Sequence, residues 1–144
     1  MNLGKLSQIC RIILLVYLGL SMAYAVVGLA RAYGVRDVPH TTAFVVTLAL
    51  RGWFVVQVFR SSKGWIAAIG VFLAGGVVLM FGSTLAGPPA WSGYMGRHGW
   101  IHPISAVNLW LNEAITVVAA TCCWILYAEL RRATTRTVAV ASDP

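Results

Sequence analysis

Hydrophobic residues gather in four long blocks, Ile12 to Ala30, Thr41 to Phe59, Trp65 to Leu85 and Ile104 to Tyr127, and polar residues concentrate between them. At 1.5 Å per residue, blocks of about 19 to 24 residues match a hydrocarbon layer of about 30 Å. None shows the period-two alternation of a barrel strand, and in lipid only helices and closed barrels satisfy every backbone group. The pattern therefore predicts an all-α integral membrane four-helix bundle, residues 1–144 forming a single transmembrane domain with spans at about 12–30, 41–59, 65–85 and 104–127. A short basic tail, 131–144, follows and is expected to fray.

Composition supports this class. Hydrophobic residues make up 59% of the chain and charged residues 10%, too few charges to build a water-facing surface. The chain carries a net charge of +7, which in a soluble protein would suggest nucleic acid, but here the cations sit at the ends of the blocks. Lys5, Arg11, Arg60, Lys63, Arg131, Arg132 and Arg136 fall on one side; Arg31, Arg36 and Arg97 fall on the other. The positive-inside rule then predicts both termini in the cytoplasm, in a cell membrane crossed several times, of bacterial inner-membrane type. The expected partners are the lipid bilayer and, beyond it, a second copy or a larger membrane complex, with no nucleic acid.

The first block also imitates a secretory signal, with Lys5 and Arg11 ahead of an apolar run and Ala23-Tyr24-Ala25 in the place of a cleavage site. The apolar run continues past Ala25 to Ala30, which favours an uncut span. Small residues four apart, Gly19 with Ala23 and Gly70 with Ala74 followed by Gly75 and Gly76, predict close helix packing within the chain or between copies. Cys10, Cys122 and Cys123 read as small apolar filler, because the adjacent pair is not a redox spacing.

Two charges fall inside the blocks. Arg51 stands near the middle of the second and Glu113 in the outer half of the fourth, with Asn108 and Asn112 beside it. A charge near the bilayer centre costs about 2.5–3.5 kcal/mol on insertion scales, so each is expected to face the bundle interior. Counted from the outer ends of their blocks, their depths are about 15 and 13.5 Å. They are expected to form an ion pair across the bundle, with the asparagines supplying hydrogen bonds, in a structural or a proton-linked role.

The longest connection, from Ser83 to Pro103, is rich in Trp91, Tyr94, Arg97, His98, Trp100 and His102. It reads either as a lid over the outer mouth or as an interfacial segment lying among headgroups. His98 and His102 are four apart, a spacing that suits zinc or copper on a helix, and His40 is expected on the same side. With Gly99 between them and no carboxylate nearby, they remain weak metal candidates. No histidine falls within a span, so no haem is expected, and no cofactor is predicted. Asp37 and Glu129 read as surface charges. No serine elbow, phosphate loop or carboxylate pair is present, which argues against an enzyme.

The leading expectation is thus a non-enzymatic accessory subunit or self-associating bundle. The alternative is a small transporter or proton-linked carrier using Glu113 with Arg51. An outer-face metal-binding or enzymatic site at His98 and His102 comes third.

Overall fold

The computed structural model describes residues 4–34, 36–85 and 106–141, with side chains described over 4–34, 36–79, 111 and 113–135. Over these residues the chain is all-α: α1 Lys5–Gly34, α2 Val38–Arg60, α3 Lys63–Leu85 and α4 Ala106–Ala141. Each encloses one of the apolar blocks, except that α4 begins two residues after the start of the last one.

The two short turns are built by the same device. After α1, the N–H of Arg36 donates to the carbonyl of Tyr33 (3.1 Å) and that of Asp37 to Ala32 (2.9 Å). After α2, Ser61 and Ser62 repeat the pattern on Val58 (3.2 Å) and Gln57 (3.4 Å). Such closures need a left-handed residue, here supplied by Arg36 at φ 59° and Ser61 at φ 53° without glycine. Asp37 then caps α2, its Oδ1 accepting from the backbone N–H of His40 at 3.1 Å, with Pro39 in the first turn, where its missing donor costs nothing.

Every helix buries one stripe. On α1 it contains Cys10, Leu14, Tyr17, Ala25, Gly28 and Ala32, at the spacings of three and four that keep one helix face inward. This stripe packs α1 against both α2 and α4, and α3 packs against α4. On α4 the small residues Ala119, Ala120, Cys122 and Cys123 are buried, Cys123 against Gly70 of α3, and small residues let backbones approach. Between α2 and α3 contact is slight, and it includes two edge-on aromatic pairs, Trp53 with Trp65 at 5.8 Å and Phe54 with Phe72 at 5.5 Å. Among the described residues α2 and α4 are not adjacent; each packs on α1 and on α3, so the two stand diagonally across the bundle. The segment preceding Ala25, read above as signal-like, supplies Leu14, Tyr17 and Leu18 to the central core.

Outside, the molecule is apolar: Leu20, Val38, Val78 and Leu79 are each at least 63% exposed. Polar Ser7, Gln57, Glu113 and Thr116 are buried instead, the reverse of a soluble fold. Three helical stretches, Lys5–Gly34, Val38–Arg60 and Glu113–Thr135, are long and apolar enough to cross a membrane. The described apolar part of α3, Lys63–Leu79, is shorter.

The helix α4 runs on past residue 131 to Ala141. No glycine or proline interrupts Arg131 to Ala141, so nothing stops helix propagation. Of the small-residue positions, Gly70 is packed against Cys123 and Trp124 within the chain, whereas among the described residues a methyl added at Gly19, Gly75 or Gly76 meets nothing within 4 Å. The tight glycine on α1 is Gly28, which lies under the ring of Phe44.

Candidate functional site

The centre of the bundle holds a polar layer contributed by three helices. Arg51, half-buried on α2, sets its guanidinium carbon 6.0 Å from the centre of the Tyr17 ring on α1. Contacts of this kind contribute about 0.5–2 kcal/mol, more when water is excluded. The Tyr17 hydroxyl in turn shares a buried hydrogen bond of 3.1 Å with Thr116 Oγ1 on α4, in which either group can donate. Glu113 lies one turn away from Thr116 on the same face of α4 and is 6% exposed. Its Oε2 is buried and accepts no hydrogen bond among the described residues.

Among the described residues no ion pair joins Arg51 and Glu113. The reason is topological. The two helices are parallel neighbours of α1 rather than of each other, and Tyr17 fills the space between. Arg51 sets its guanidinium against an aromatic face, while among the described residues the Glu113 carboxyl has no cation and its Oε2 no donor. Leaving a polar atom unmatched in an apolar interior costs about 1–3 kcal/mol, so the layer is under-satisfied at one atom.

Asn108 and Asn112 fall within α4, but their side chains lie outside the described residues. So do Trp91, Arg97, His98, Trp100 and His102. His40 is described: its Nδ1 is 2.9 Å from Asp37 Oδ2, both side chains being 20% exposed. Asp37, read from the sequence as a surface charge, is therefore an α2 cap that also orients an imidazole. Among the described residues no group of three metal-ligating side chains comes together. Cys10, Cys122 and Cys123 are free, buried thiols on α1 and α4, where they serve as small packing units.

Tyr17 and Thr116 escaped the sequence reading. The first lies on the periodic buried stripe of α1, and the second stands three residues after Glu113, a spacing that was sufficient to find it. A further polar set tethers the ends of α1 and α2: Arg11 donates to the carbonyl of Phe59 at 2.6 Å and lies over its ring at 5.7 Å, placing a cation at the C-terminus of α2.

Comparison with protein-family models, curated proteins and solved structures gives no match for this chain.

Proposed function

We propose that the chain is a small multi-pass membrane protein working as a proton-linked carrier, with Glu113 as the group that takes up and releases its ligand and Arg51 as the charge that modulates it. The supporting observation is the unmatched Oε2 of Glu113, buried beside the Tyr17–Thr116 hydrogen bond. A carboxyl kept only for register would be closed by its arginine, and ionisable groups inside membrane helices mark ion or substrate pathways by default. Here the arginine is turned to an aromatic ring and the carboxyl is left open to a further partner. A proton is the smallest such partner.

The test is reconstitution into liposomes with an imposed potassium potential and valinomycin, with an internal pH dye as the readout. Potential-driven proton movement is expected in the parent chain and in Glu113→Asp, and is expected to vanish in Glu113→Gln. Flux equal to that of empty liposomes, or unchanged in Glu113→Gln, eliminates the mechanism.

A second reading, a self-associating bundle or accessory subunit, is supported by Gly19, Gly75 and Gly76, where a methyl added to the backbone meets nothing within 4 Å among the described residues. Light scattering in detergent that finds only monomers, together with a pull-down that recovers no other subunit, removes it.

A further inference from the structure

Two arginines near the end of α4 take no part in the polar layer. With Tyr127, Ala128 and Thr135, Arg131 and Arg132 line a groove of about 510 Å³. Tyr127, Arg131 and Thr135 recur at intervals of four and so stack along one helix face. Ala128 adds almost no bulk beside them, which leaves a dent under the guanidinium groups. Arg131 is exposed and has no ionic partner among the described residues. Arg132, its side chain 72% exposed, meets Glu129 only at 3.4 Å, a surface pair of little strength.

The surroundings match a lipid boundary. Trp124 stands edge-on to Tyr127 at 6.1 Å, an aromatic pair of the kind that settles at headgroup level. Lys63 reaches Thr134 at 3.4 Å and brings a third cation to the same end. Because α4 remains helical to Ala141, both arginines are held on a rod instead of a loose tail.

We infer that this groove binds the headgroup of an anionic phospholipid. Arg131 and Arg132 take the phosphate oxygens, a planar fork being suited to phosphate geometry. Ala128 makes room for the glycerol, and the acyl chains run along the exposed face of α4 past Trp124. The inference depends on the chain being embedded in a membrane and is independent of any role for Glu113.

The experiment is native mass spectrometry of the full chain in neutral detergent, counting retained phosphatidylglycerol against phosphatidylcholine. Phosphatidylglycerol is expected to be retained preferentially, and the Arg131→Gln/Arg132→Gln double variant to retain it about ten-fold less. Ala128→Leu keeps both charges but fills the dent, and is expected to weaken retention as well. Arg36→Gln, at the opposite end of the helices, is expected to leave it unchanged. All these positions are at or near the surface, and circular dichroism verifies that each variant is folded.

Equal retention in the double variant overturns the proposal. Loss in the double variant with none in Ala128→Leu also overturns it, since that outcome marks diffuse attraction without a groove. Displacement of the lipid by inorganic phosphate as readily as by short-chain phosphatidylglycerol assigns the groove to free phosphate instead. Release of the chain from the membrane fraction by alkaline carbonate without detergent contradicts the membrane reading itself, a result distinct from all three.

Discussion

Tyr17 joins the polar layer through two separable parts, a ring that faces Arg51 and a hydroxyl that meets Thr116. Tyr17→Phe keeps the ring and removes the hydrogen bond, so thermal unfolding of the detergent-solubilised chain should show a loss of about 1 kcal/mol. Tyr17→Leu removes both and should lose at least twice as much. Equal losses in the two variants would mean that the aromatic contact with Arg51 contributes nothing. The same geometry bears on charge exchange: exchanging the two charges in Arg51→Glu/Glu113→Arg should restore none of the stability lost in the single variants, because the two side chains do not meet. At the turns, Arg36 and Ser61 hold left-handed conformations that disfavour any side chain by about 1–2 kcal/mol. Ser61→Gly should therefore raise stability by several tenths of a kcal/mol, after allowance for glycine's extra freedom in the unfolded chain. Arg51 and Glu113 themselves were legible in the sequence because charge inside a greasy run is conspicuous. What stands between them was not, since a tyrosine in such a run reads as one more apolar residue.

Helix faces show the same division between what a pattern specifies and what packing decides. Spacing by three and four establishes which residues share a face, but not which neighbour that face meets. Gly19 with Ala23 and Gly70 with Ala74 present the same signal, yet Gly70 lies 3.1 Å from Cys123 Cβ by the position of an added methyl, and Gly19 meets nothing. Gly28 with Ala32 carries that same spacing and was passed over in the sequence, yet it is the position on α1 where the Phe44 ring of α2 lies against the backbone. A methyl there would collide with the Phe44 ring, and Phe44 with Ala25 and Ala32 forms the small separate core at that end of α1 and α2. Gly28→Ala should accordingly lower stability by about 1–3 kcal/mol, the usual range for overpacking. Gly75→Ala should not, and pairing Gly28→Ala with Phe44→Leu should recover part of the loss, as read from thermal midpoints of the three proteins. If Gly28→Ala unfolds at the parent temperature, the α1–α2 contact is looser than described. Helix ends are harder to read for a related reason: hydropathy reports where a helix is greasy, whereas its length is decided by where a breaker or cap occurs. On α4 none occurs before Ala141.

At the scale of the whole molecule the bundle is a chain of contacts, α2 on α1, α1 on α4 and α4 on α3, open along much of the α2–α3 edge. The polar layer crosses this series at its middle joint, where Tyr17 meets Thr116, so movement of the α1–α2 pair against the α3–α4 pair would alter the surroundings of Glu113 directly. Such a device has a direction only if the molecule has one, and the sequence supplies the expectation to test: with seven cations counted to one side of the apolar blocks and three to the other, the positive-inside rule predicts that the basic ends face the cytoplasm. The native thiols make this easy to check. Cys10, Cys122 and Cys123 are 3%, 4% and 0% exposed, so the parent chain should be silent toward a membrane-impermeant maleimide. Val38→Cys places a thiol at the outer start of α2, where the side chain is 70% exposed. Gly64→Cys places one at the inner start of α3, where nothing lies within 4 Å of an added side chain. In intact cells the reagent should label Val38→Cys and spare Gly64→Cys, and it should label both once the membrane is permeabilised. The opposite labelling in intact cells would invert the orientation and place the Arg131–Arg132 groove on the outer leaflet, and labelling of both would show that no bilayer separates the two ends.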